Sequence, residues 1–527
     1  MTDNLIIKIK QLPKFRLLIL IFTVWQYASI LGIALLNWPD FLIWVNLGLL
    51  TAFVVLSPVY ESLLLLTLCI PFYVALPNPE FDSLSMWRPL FIILFITWLV
   101  KDKRLKIKDI SFMPWDKILG AFLIVGIGVS LIFGQFVGQS FKQIIFWLNI
   151  YIFYLVLINT LKSKHQIFEF IRYAIWSLAI IITLGFTQLI ATFVTNFDTF
   201  WVYWASNITK LYYGQSFASV ALYSNSWFSY TGVRGLRMFS IMPDSQSFAY
   251  ICIFGVCMGT ALIHNVFKYV KKWLWSGIRF GGLGLILSGT RAVWVGMLLP
   301  FFAVVWAYYK NFQKHLAKKF ILPFLIIFAL FAISPLINQG LAILRVGVFK
   351  EDFLLRVKSI YDLNESSNQG RLKIWRESLA FAVKHPMGAG FGNFISSLNP
   401  SPEGDYEKLA GEINQRYNLP QRYVSAHSLY LQILVETGIL GFVVFCGFWL
   451  FILKYFWHFL KHYKNAEDFL VYFVAQAFLM VLWVLGAAFF DITLFNDKVL
   501  MFFFIDIGLA GLIVNRYHEY EAEKAIS

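Results

Sequence analysis

One imidazole and several guanidinium groups stand where this chain changes from polar to apolar. His427 lies in SAHSLYLQILVETGILGF (425–442), whose second half can sit in a lipid bilayer. Its unperturbed pKa is near working pH, and a neutral imidazole can take a proton from a hydroxyl. If Ser425 or a neighbour caps the helix that follows, the ring falls in its first turn, where the helix dipole disfavours imidazolium. A lone histidine at a membrane boundary is also an ordinary structural residue. Glu436 does not complete a relay, because nine residues on it falls about 180° round and roughly 13 Å deeper on the same helix. Glu436 and Asp506 read as helix-packing residues.

Arg234 and Arg237 precede a turn at Pro243 in RGLRMFSIMPDSQSFAY (234–250), where Asp244 and Ser245 can cap the next helix. Arg291 lies in LSGTRAVWVG. An arginine at membrane depth is costly unless paired. Each can serve as an interface anchor; together, guanidinium groups on two outer turns can bind an anion bidentately, phosphate being the obvious one. Arg376 belongs to GRLKIWRESLAFAVKHP (370–386), which reads as an amphipathic helix stopped by Pro386. At about 100° per residue, Leu372, Trp375, Leu379, Ala382 and Val383 share one face with Arg376, while Lys373, Glu377 and Lys384 point away. A guanidinium there meets either a partner or a lipid headgroup. MGAGFGNF (387–394) follows a helix and a proline, so it reads as a tight turn rather than a phosphate cradle. EGDYE (403–407) can offer carboxylates to a divalent cation, or form a solvated acidic turn.

These residues must be held by membrane helices. Of the 527 residues, 59% are hydrophobic and only 14% charged, against about 25% charged in a soluble protein. A span needs about 20 mostly apolar residues. Fourteen candidates lie near 17–36, 41–57, 60–76, 84–100, 117–134, 141–160, 167–195, 247–264, 273–289, 292–309, 320–338, 427–453, 469–489 and 495–515. The first follows a basic start and resembles a signal peptide, but its length and the lack of a small-residue cleavage site favour a retained helix. The net charge of +15 sits in short basic runs such as KDKRLKIKD (101–109) and KNFQKHLAKK (310–319). Placed inside, they satisfy the charge rule for topology, which suits a membrane better than nucleic acid. Cys69, Cys252, Cys257 and Cys446 lie in apolar stretches and imply no disulfide framework. The expected fold is one all-α integral membrane domain over 1–527, a bundle of about 14 helices. Two long extracytoplasmic loops, 196–246 and 339–426, interrupt it, the second carrying amphipathic helix.

The His427 segment resembles the signature of the O-antigen ligase and polymerase family, in which a histidine precedes a Tyr-Leu-Gln run, a Glu and spaced glycines. GRLKIWRESLAFAVKHPMGAGFGNF, LILSGTRAVWVGML and RMFSIMPDSQSFAY resemble three further family elements in family order, so that the likeness covers about 234–445. Thr290 stands where serine is common, and Asp244 where Asn is usual. The resemblance implies an inverting, metal-independent membrane glycosyltransferase without a cofactor, acting at the periplasmic side of the bacterial inner membrane. Its donor would be a glycan on undecaprenyl diphosphate. Its acceptor would be lipid A-core or another lipid-linked glycan, or in some relatives a protein hydroxyl. In that chemistry His427 is the general base, and Arg237 and Arg291, with Arg376 as a third, hold the diphosphate leaving group. Two other readings stay open: a transporter of a small anion, with charges lining a mid-membrane path, and a metal-dependent oligosaccharyltransferase using Glu403 and Asp405.

Overall fold

The computed structural model describes residues 14–78, 84–103, 107–195, 197–215, 217–218, 228–229, 235–263, 268–310, 314–343, 357–398, 425–463 and 468–526. Regular structure among them is helical, apart from a two-residue antiparallel ladder of Phe228–Ser229 with Gly235–Leu236 and an isolated bridge between Ala75 and Ser85. The principal helices are α1 (Lys14–Leu36), α2 (Phe41–Leu56), α3 (Val59–Cys69), α4 (Trp87–Lys101), α5 (Asp116–Phe133), α6 (Val137–Thr160), α7 (Lys164–Val194) and α8 (Ser245–Leu262). They continue as α9 (Lys268–Leu287), α10 (Arg291–Gly296), α11 (Leu298–Tyr309), α12 (Lys314–Ile343), α13 (Ser366–Lys384), α14 (Leu429–His462), α15 (Phe469–Ala488) and α16 (Asp497–Ile526).

Every expected span has a helical counterpart, and among the described residues eight helices are long and apolar enough to cross a membrane. These are α1, α5, α6, α7, α8, the joined α10–α11, α14 and α15. The number falls short of fourteen partly because α2, α3 and α4 have 16, 11 and 15 residues, below the length of an untilted span. The chain is a polytopic, all-helical membrane protein. EGDYE and Arg234 lie outside the described residues.

The helices form two compact units: residues 1–111, 149–181 and 198–222, and residues 112–148, 182–197 and 223–527. In the first unit, Arg16 donates to Glu61 and Glu169, each at 2.6 Å, and so ties α1 to α3 and α7. Asn46 donates to Ser29 at 2.7 Å, joining α2 to α1 inside the unit.

In the second unit α8 and α15 are buried nearly all round. Asp244 opens α8 as expected: its backbone is extended and its carboxylate accepts from Ser247 N–H at 2.6 Å. Glu365 opens α13 in the same manner, accepting from Asn368 N–H at 3.2 Å. The packed face of α13 is rotated from the arc expected from the sequence: Trp375 and Ala382 lie on it, but Leu372, Leu379 and Val383 do not. Ile374, Ser378 and Ala382 are buried, whereas Leu372, Leu379, Val383 and Arg376 are exposed. The spacing of 374, 378 and 382 marks this stripe, but Ser378 hides it from a purely apolar count.

The glycine turn 387–394 fills a break in α14. Gly438 has φ 68° and ψ −172°, so the helix cannot continue through it. In an unbroken helix Ile439 N–H would bond Val435 O. Here Ile439 N–H donates to Pro386 O at 2.9 Å, and Val435 O accepts from Ala389 N–H at 2.9 Å. Gly390 N–H donates to Glu436 O at 2.7 Å. One helical bond is thus replaced by bonds to the loop, which satisfy the backbone groups that it frees. A Cβ on Gly438 would lie 2.4 Å from Met387 C and Pro386 O. The other side of the loop is held by Asn393, which donates to Ser140 at 2.9 Å and accepts from Phe136 N–H at 2.9 Å.

Candidate functional site

Two segments of the second unit meet the His427 turn: the middle of α13 and the turn between α15 and α16, which is in turn bonded to the start of α8. His427 is not in the first turn of α14. That helix begins at Leu429 with Ser428 as its N-cap, and His427 precedes it with a left-handed φ of 47°. For a residue other than glycine such a backbone is strained and persists only where its surroundings enforce it. They do so from three sides. Ala426 N–H donates to Gln432 at 3.0 Å, Ala426 O accepts from the Trp375 indole at 3.0 Å, and Leu429 N–H donates to Asp491 O at 3.0 Å.

Trp375 therefore docks α13 on the histidine turn, and Arg371 lies one helical turn before it on the same side. Sequence reading chose Arg376 from this helix, but Arg376 is exposed on the outward stripe while Arg371 is half-buried. Burial, and then the Arg371 guanidinium, hold the half-buried His427 ring down to about 4. That value favours the neutral ring at working pH. The cause is desolvation and a neighbouring cation rather than the helix dipole.

The sequence alone does not single out Asp491. It is 2% exposed. Its Oδ1 accepts from Ile492 N–H at 2.6 Å, from Thr493 N–H at 3.1 Å and from Thr493 Oγ1 at 2.5 Å. Burial pushes its carboxyl up to about 7; the Thr493 bond opposes this, the nearby Asp244 adds to it and Arg371 opposes it. Arg371 is thus within electrostatic reach of both His427 and Asp491. The signal that could have found these two was their position: Arg371 opens the apolar stretch of 370–386, and Asp491 is a carboxylate between two spans.

The remaining predicted residues divide. Arg237 is half-buried just after the Gly235–Leu236 strand, on the way into the turn before α8, and Met238 N–H donates to Leu287 O at 3.0 Å. Thr290 donates to Ser245 O at 3.2 Å, so the turns carrying Arg237 and Arg291 are packed together. Arg291 itself is 9% exposed and faces the start of α13. It donates to Ser359 O and Ser359 Oγ at 2.9 Å each, to Glu365 at 3.1 Å and to Ser367 at 3.1 Å. Its guanidinium fixes the end of the helix that carries Arg371. Glu436 serves packing: Gln432 donates to it at 2.5 Å, and the N–H groups of Gly392 and Phe394 point at it.

Residues 277–446 match the family model described as O-antigen ligase. This segment is similar to the O-antigen ligase family. It contains Arg291, the whole of α13 with Arg371, the glycine turn and His427, and it ends inside α14. Arg237, Asp244 and Asp491 lie outside the matched residues. No curated protein matches the chain significantly.

Proposed function

We propose that the chain transfers a glycan from a polyisoprenyl diphosphate carrier to an acceptor hydroxyl at the outer face of the inner membrane. The observation that carries this reading is the approach of Arg371 to the neutral, half-buried ring of His427 inside the ligase-like segment. His427 takes the proton of the acceptor hydroxyl as that oxygen attacks the anomeric carbon. The bond from this carbon to the diphosphate oxygen breaks on the opposite face, with inversion, and the lipid diphosphate leaves with the electron pair. The proton then passes from His427 to solvent. Arg371 and Arg237 hold the diphosphate and stabilise the charge it gains. Arg291 contributes through α13, which its bonds to Glu365 and Ser367 hold in place. Arg376, on the exposed stripe with Leu372, Leu379 and Val383, meets lipid headgroups.

This arrangement gives the donor a second role. Arg371 is one of the two causes that hold His427 down. A diphosphate seated on Arg371 cancels its positive charge, so the base strengthens when the donor is bound.

The test is transfer from a purified lipid-linked glycan by the protein in nanodiscs, with and without lipid A-core as acceptor. His427→Ala should lower the rate by at least about a hundredfold, the usual scale for a general base. Transfer that needs lipid A-core marks a ligase, and chain extension without it marks a polymerase. Transfer that survives His427→Ala, or that stops in chelator, rules out this mechanism.

A further inference from the structure

Beside His427, two polar groups are buried and have no hydrogen-bond partner among the described residues. One is Asp491 Oδ2 and the other Tyr250 Oη. Tyr250 lies in the second turn of α8 and is fully buried. Asn496, five residues after Asp491, donates to Asp244 at the mouth of this helix at 3.4 Å, so the two orphan groups lie on elements bonded to each other. The groups around them are half-buried: His427, Tyr430, Asp244, Ile492 and Asn496. Asp244 is occupied, its Oδ1 by Ser247 and its Oδ2 by Asn496 at 3.4 Å. Tyr430 is also occupied, donating to Leu485 O at 3.0 Å.

An unpartnered buried polar atom costs about 1–3 kcal/mol, and here two occur together on rigid supports. Asp491 Oδ1 is pinned by three bonds, which fixes the direction in which Oδ2 points. The pair presents an acceptor and a group that both donates and accepts. That is the complement of a sugar hydroxyl, which donates one bond and accepts another. Leu429 N–H donates to Asp491 O, so this carboxylate belongs to the same bonded turn as His427.

We propose that Asp491 Oδ2 and Tyr250 Oη form the floor of the acceptor subsite, binding a hydroxyl of the acceptor sugar and aiming a neighbouring hydroxyl at His427. Asp491 accepts from the sugar hydroxyl and Tyr250 donates to it. The inference rests on the transferase reading above and adds to it the acceptor class, a polyhydroxylated glycan, and the residues that orient it.

The experiment measures steady-state transfer by the full chain in nanodiscs, varying donor and acceptor glycan separately, for wild type, Asp491→Asn and Tyr250→Phe. In Asp491→Asn the two backbone N–H donors and the Thr493 hydroxyl keep the amide oxygen on their side. The amide NH₂ is then left where an acceptor is needed. Tyr250→Phe removes a hydroxyl that no described protein group satisfies, so its thermal midpoint should match or exceed that of wild type. Each variant is expected to raise the acceptor KM by about tenfold or more, the scale of one lost bond to a charged or buried group. The donor KM should stay within about twofold. An unchanged acceptor KM in both variants, in a wild type that does transfer, overturns the subsite and leaves the transferase reading standing. A wild type with no transfer at all overturns the transferase reading itself.

Discussion

The Trp375 indole donates to the carbonyl of Ala426 at 3.0 Å. Through this bond an amphipathic helix outside the spans is locked to the residue preceding His427. The same helix carries Arg371 one turn away. Trp375→Phe keeps the ring and removes the donor, leaving a fully buried carbonyl unsatisfied. Thermal unfolding should register a loss of about 1–3 kcal/mol. Transfer activity should fall by more than that loss explains, because α13 no longer holds Arg371 against His427.

The pH dependence follows from the neutral base. His427 works only when unprotonated, and in the free protein its ring is held to about 4. The kcat/KM profile, which reports the free enzyme, should therefore stay flat as pH falls through 6 and drop only toward 4. With the donor bound, Arg371 is neutralised and the acid limb of kcat should lie at higher pH. Arg371→Gln removes one of the two causes of the depression. Its kcat/KM limb should move up toward the ordinary histidine range near 6.5. A limb that does not move in this variant would detach Arg371 from the histidine.

Arg291 and Glu365 offer a test of how an arginine acts. Their N–O distance is 3.1 Å, and they are 9% and 24% exposed. If Arg291 works by holding α13, Glu365→Ala should reproduce the loss of donor use expected of Arg291→Ala, and the double variant should be little worse than either single one. If Arg291 touches the diphosphate directly, Glu365→Ala should leave the donor KM nearly intact. Donor titrations of the three variants decide between these outcomes.

Arg371 and Arg376 stand five residues apart on one helix but differ in setting. Arg371 is half-buried beside the histidine, and Arg376 is exposed. Transfer assays should show Arg371→Ala at least about tenfold more damaging than Arg376→Ala, as expected when only one guanidinium supports the leaving group.

The break in α14 predicts a stability effect. Gly438→Ala forces a Cβ to within 2.4 Å of backbone atoms at φ 68°, and this backbone, which essentially only glycine adopts, costs any other residue about 1–3 kcal/mol. The variant should unfold at a clearly lower temperature or fail to accumulate. Gly48→Ala, where a Cβ meets nothing within 4 Å on an exposed face of α2, is the control. It should be neutral or slightly stabilising.

Most of the helical framework was legible in the residues, because a bilayer demands long apolar runs with internally satisfied backbones. The expected boundary at 247–264 appears as Ser245–Leu262, and 117–134 as Asp116–Phe133. The Asp244 cap was also readable, since its chemistry is local. The number of true spans was not, because an apolar run of 11 or 16 residues counts equally well as a short span or as a helix buried in protein.

The site was legible only in part. The sequence by itself determined a polytopic helical membrane protein, a histidine at the mouth of a span and arginines on polar segments. All of these follow from residue types and periodicities that act over one or two helical turns. Only the tertiary structure decided that Arg371 rather than Arg376 faces His427, that Arg291 grips Glu365, and that Asp491, 64 residues beyond the histidine, shares its turn. Helical periodicity places a side chain on an arc, but which arc meets a neighbour is set by packing between segments far apart in sequence. In α13 that choice rests on the Trp375–Ala426 bond and the buried Ile374–Ser378–Ala382 stripe, and neither can be read from one helix alone.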